Sequence, residues 1–133
     1  GDEAEPAAAR ARTLTLVKAR GAWAGERDIP FMLVYLPLAP QVAGDEWPAG
    51  RARFGLPAAR VGSPDGALIE AFCRAENLRC LTAVAPLRAA AEAPDGLPLW
   101  HVSEFGLTAD GNRVLGAWLA DAVFEWMGQL GMR

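Results

Sequence analysis

The longest amphipathic pattern in the chain lies near its end. Val114, Leu115, Trp118, Leu119, Ala122, Val123, Trp126, Met127 and Leu130 recur at steps of three and four. That spacing predicts one helix over residues 108–130 with a wide apolar stripe. Thr108 suits its N-cap, and Asp110 complements the positive end of its dipole. Two other stretches have strand length and mostly apolar content: residues 31–36 (FMLVYL), held between Pro30 and Pro37, and residues 78–84 (LRCLTAV). Such runs predict strands buried on both faces, as in a parallel sheet covered by helices.

Between these elements the pattern is helical. Residues 11–26 predict a helix whose broad face carries Leu14, Leu16, Val17, Ala22 and Trp23, although Gly21 and Gly25 weaken it and residues 13–17 also alternate like a short strand. The acidic, Ala-rich residues 1–9 read as a frayed lead-in. Ser63-Pro64-Asp65 is a helix opening, with Ser63 as N-cap, and predicts a helix to about Glu76 that buries Leu68, Ile69, Phe72 and Cys73. A short helix over 86–93, a turn at Asp95-Gly96 and a strand stub over 97–100 complete the series. Residues 37–63 show no clear element, and a connection that long is either functional or carries short helices.

The order helix, strand, loop, helix, strand, helix, loop, helix predicts an α/β fold: three layers, with a small, mostly parallel sheet flanked by helices. The length of 133 residues fits one domain, residues 1–133. So small a sheet leaves strand edges unpaired, which predicts association with a second copy or with a chain segment that supplies more strands.

Charge and composition narrow the function classes. The net charge of −3 argues against nucleic acid as a partner. No apolar run reaches the length of a membrane span, so no transmembrane segment is expected. No basic-then-apolar leader opens the sequence. A single His and two Cys lack the spacing of a zinc motif, and no cofactor is expected. Cys73 and Cys80 read first as two buried thiols, with a helix-to-strand disulfide as the alternative.

At the level of motifs the chain resembles the second half of the SGNH (GDSL-type) hydrolases and acyltransferases. IPFMLVYLP is similar to that family's helix-fed strand ending in Pro, and SPDGALIEAFCRAENL to its Pro-opened helix. LRCLTAVAPLRAAAEA matches the strand and short helix that follow. LTADGNRVLGAWLADAV matches the part of the last block that comes after its catalytic His. The long loop LPLAPQVAG is similar to the branch that handles O-acetylation of alginate and cell-wall glycans. The resemblance implies an SGNH/flavodoxin-like fold, ester chemistry on a glycan, and a periplasmic or extracellular home.

Where the sequence departs from the family, the chemistry is at stake. Aligning residues 107–112 puts Gly106 at the catalytic His position and Glu104 near the Asp that orients it. Glycine cannot move a proton. The Gly-Asp-Ser nucleophile block and the oxyanion-hole Gly and Asn are missing from this sequence. Gly1-Asp2-Glu3 echoes the block in letters only, and Asn77 and Asn112 sit in no matching motif. His101, the only imidazole, stands in for the base if the loop 100–106 brings its ring to that position, with Glu104 to orient it and Ser103 between them. Against this stands an ordinary surface His. Trp47 and Trp100, both in loops, are the candidates for stacking on a sugar, against packing and loop anchoring. The resulting expectation is a catalytically degenerate domain that binds an acylated glycan or a protein. The alternative is part of a working esterase or O-acetyltransferase whose Ser comes from another segment or chain.

Overall fold

A computed structural model describes residues 4–42, 48–55, 64–102 and 106–132. The described residues are α/β, 64% of them helical, with a two-stranded parallel sheet. In chain order the elements are α1 (Ala4–Gly25), β1 (Met32–Tyr35), α2 (Ala39–Val42), α3 (Pro48–Arg53), α4 (Pro64–Ala75), β2 (Arg79–Thr82), α5 (Val84–Ala91) and α6 (Ala109–Gln129). They form two compact units: Gly1–Tyr35 with Pro64–Leu81, and Leu36–Ser63 with Thr82–Arg133. No helix among the described residues is long and apolar enough to cross a membrane.

In the first unit, α1 begins well before residue 11, because alanine in the acidic lead-in is the strongest helix former. Its inward stripe is narrower than expected. Leu14, Val17 and Gly21 are half-buried and Ala24 is buried. Leu16 and Trp23 are 68% and 49% exposed, and Ala22 is exposed too. Helix geometry explains the difference, since two residues on from Leu14 is about 200° around the axis. Trp23 instead lies under the Arg27 guanidinium, 4.6 Å from its ring centre. Gly21 allows a close approach, for a Cβ there would stand 2.8 Å from Leu78 Cδ2. Two ion pairs tie α1 to the α4 segment: Arg10 Nε to Asp65 Oδ1 at 2.9 Å, and Lys18 Nζ to Glu76 Oε2 at 2.8 Å.

β1 and β2 fall inside the two apolar runs, but every residue in them is half-buried, not buried. Among the described residues the sheet has two strands and is all edge, so neither strand has the strand on each side that full burial requires. Cys73, at 3% exposure, is bonded to Cys80, so the helix-to-strand disulfide is the form present. It fastens α4 to β2. Of the residues expected inside α4, Ile69 and Phe72 are half-buried and Leu68 is 43% exposed. The expected N-cap Ser63 lies outside the described residues.

The second unit holds a core of Ala39, Val42, Ala83, Leu87, Leu99 and Trp100, with Leu107, Val114, Leu115 and Trp118 packed against it. The long connection carries two short helices. α2 is closed at its start by Gln41, whose Oε1 accepts from the Leu38 N–H at 2.7 Å. At its end, Arg88 Nε on α5 donates to the Val42 carbonyl at 2.5 Å. Arg51 on α3 is buried and donates to the Pro40 carbonyl at 3.0 Å. α5 starts at Val84, two residues ahead of Pro86. Proline is tolerated there because first-turn N–H groups have no partner within the helix. α6 follows its stripe as expected, though burial fades toward its end: Phe124 is 79% exposed, Met127 37% and Leu130 47%.

Candidate functional site

The loop that opens α6 is built from backbone closure and one capping threonine. Trp100 and Leu107 form an antiparallel bridge, which replaces the expected strand stub. The Thr108 N–H donates to the Leu99 carbonyl at 2.9 Å, and the His101 N–H donates to the Gly106 carbonyl at 3.0 Å. Thr108 has the extended backbone of an N-cap, and its Oγ1 accepts from the Gly111 N–H at 3.1 Å. The same hydroxyl donates to the Pro98 carbonyl at 2.7 Å. Thr108 therefore satisfies the helix start and pins the incoming chain at once. Asn112 Nδ2 donates to the Thr108 carbonyl at 3.0 Å and to Leu107 at 3.3 Å.

Gly111 is required by contact. A Cβ at that position would fall 2.2 Å from the Leu99 carbonyl oxygen, so the first turn of α6 rests directly on the backbone of residue 99. Within Leu107-Thr108-Ala109-Asp110-Gly111-Asn112, the residues with a definable task, Thr108, Gly111 and Asn112, thus serve the helix start. Asp110 fits the same pattern, paired with Arg113 one turn on.

Of the residues singled out for chemistry, His101 is exposed and sits beside Gly106 in the backbone ladder. Ser103, Glu104 and Trp47 lie outside the described residues. Trp100 requires a correction. It is 3% exposed and belongs to the core of the second unit, so it has no open face on which a sugar could stack. The sequence places it in a loop, whereas its backbone bridges to Leu107 and its side chain is buried in the core. Its role is to anchor the loop. Among the described residues no group of three His, Cys, Asp or Glu side chains stands where it could hold a metal ion.

A concavity that the sequence pattern did not single out lies within the first unit. Arg10, Leu14, Tyr35, Asp65, Leu68 and Ile69 line an open groove of about 300 Å³. The available signal was Tyr35, the only tyrosine of the chain, closing an apolar strand.

Together these features define an α/β protein with a tightly capped terminal helix and an exposed histidine whose backbone pairs with Gly106 ahead of that helix. Comparison with protein-family models, with curated proteins and with solved structures finds no match to this chain.

Proposed function

We propose that the chain is a partial three-layer, SGNH-hydrolase-like domain, catalytically degenerate, which binds an acylated glycan. The observation that supports this reading most is the contrast across residues 106–112. Thr108, Gly111 and Asn112 each do a definable job in starting α6, whereas the position just ahead of them, where the resembled family keeps its base, is an exposed glycine. A family block that keeps its scaffold letters while its proton carrier is gone suits retention for binding. The disulfide Cys73–Cys80 is in keeping with a periplasmic or extracellular setting, where such bonds persist. Trp47 is the tryptophan this reading assigns to the sugar. The edges of β1 and β2 are where a second copy or a complementary N-terminal half would add strands.

The test is a titration of the protein with an O-acetylated oligosaccharide and with its de-acetylated twin, followed by calorimetry. Preferential binding of the acetylated form, weakened by Trp47→Ala, supports the reading. Equal binding of both, or none, sinks the glycan and leaves a protein as the partner to seek.

One observation favours a second reading, part of an active esterase or O-acetyltransferase. The backbone of His101 lies directly across from Gly106, so the imidazole is rooted next to the position the base would occupy. In that reading His101 takes the proton of a serine supplied from elsewhere, the serine oxygen attacks the ester carbonyl, the acyl C–O bond breaks and the alcohol leaves with that proton, and the acyl group then passes from the serine to water or a sugar hydroxyl. Turnover of an activated ester that His101→Ala abolishes would establish it.

A further inference from the structure

The groove of the first unit combines three things. Its floor is aliphatic, from Leu14 on α1 and Leu68 and Ile69 on α4. Its volume, about 300 Å³, is at the lower end of small-ligand sites. Its rim carries a close ion pair, Arg10 Nε to Asp65 Oδ1 at 2.9 Å, with side chains 52% and 35% exposed. Its place in the fold is also that of a ligand site. Tyr35 is the last residue of β1, and Asp65 stands in the first turn of α4. The groove therefore sits at the carboxyl end of a parallel strand, where open α/β sheets take up small molecules.

The ion pair decides what kind of molecule fits. A ligand bearing only a carboxylate meets Asp65 as well as Arg10, and one bearing only an ammonium group meets Arg10 as well as Asp65. Each gains one attraction and suffers one repulsion. A ligand that carries an ammonium and a carboxylate group on one carbon complements both residues at once. Its carboxylate takes guanidinium N–H donors and its ammonium group takes a carboxylate oxygen of Asp65. The aliphatic floor then calls for an apolar side group. We propose that this groove binds a free α-amino acid with an apolar side chain. The groove shares no residue with the His101 loop, so this proposal and the glycan reading stand or fall separately.

Titration of the whole chain with L-leucine and L-phenylalanine, followed by NMR or calorimetry, should show saturable binding. N-acetyl-leucine, which lacks the ammonium charge, and leucinamide, which lacks the carboxylate, should each bind about tenfold more weakly or worse. Arg10→Met should erase the preference for leucine over leucinamide. Asp65→Asn should erase the preference over N-acetyl-leucine, and Ile69→Trp should fill the groove and abolish binding. Circular dichroism of each variant checks folding, and the two analogues test the unaltered protein in any case. No saturable binding, analogues as good as leucine, or binding indifferent to Ile69→Trp in a folded variant would each overturn the proposal.

Discussion

Gly111 and Thr108 carry more of the structure than their size suggests. In Gly111→Ala the new methyl meets the Leu99 carbonyl at 2.2 Å, and backbone on both sides leaves little to give. The expected loss is about 3 kcal/mol, measured by urea unfolding, because α6 must lift from residue 99. Thr108→Ala removes the cap on Gly111 and leaves the Pro98 carbonyl without its hydroxyl donor. It should cost about 1–2 kcal/mol, whereas Thr108→Ser keeps both bonds and should cost well under half of that. The cap was legible in the sequence, since Thr before an amphipathic run is a helix start by its chemistry. The tight contact at Gly111 was not, because it depends on where residue 99 lies, which no local pattern records. Trp100 shows the same limit. Composition marks it as a loop tryptophan, and only the pairing with Leu107 turns it into a core residue.

At the scale of elements, order and type followed from the hydrophobic pattern, and the errors came from tertiary context. The strands are where FMLVYL and LRCLTAV place them, but their burial was overestimated because the run of apolar letters does not say how many neighbours a strand has. The α1 stripe narrowed for a geometric reason, with Leu16 on the far side from Leu14. Short helices α2 and α3 had no pattern to betray them, since each is held by side-chain bonds such as Gln41 to Leu38 and Arg51 to Pro40. The disulfide is the element-scale feature with the clearest consequence. It closes a ring across seven residues of sequence separation, between α4 and β2. Reduction should therefore lower stability by about 2–3 kcal/mol, through the loop entropy returned to the unfolded chain. Thermal unfolding with and without dithiothreitol measures it. Cys73→Ser/Cys80→Ser should unfold at the lower temperature under both conditions, and an unchanged midpoint on reduction would show that the bond holds nothing.

For the whole molecule, the question is what an α/β protein with a tightly capped terminal helix and an exposed glycine just ahead of it does. The α/β character was legible because the alternation of helical and strand patterns constrains it; the three-layer arrangement goes beyond what the two-stranded sheet shows. The candidate site was legible only in part: the sequence flagged the loop around His101, and the structure sets His101 across from Gly106, a pairing that follows from the backbone ladder and not from residue type. Exposed apolar side chains at the end of α6, Phe124 foremost at 79%, carry none of the core. Phe124→Glu should therefore shift the melting temperature by no more than about a degree, checked by calorimetry, while raising solubility.

The central claim is that this domain binds without catalysing. Its most direct test is hydrolysis of p-nitrophenyl acetate by the purified chain, followed by the absorbance of the released phenolate, alongside His101→Ala. The account predicts a rate that the two proteins share and that heat-unfolded protein matches. Saturable turnover by the unaltered chain, lost in a folded His101→Ala variant, would contradict it.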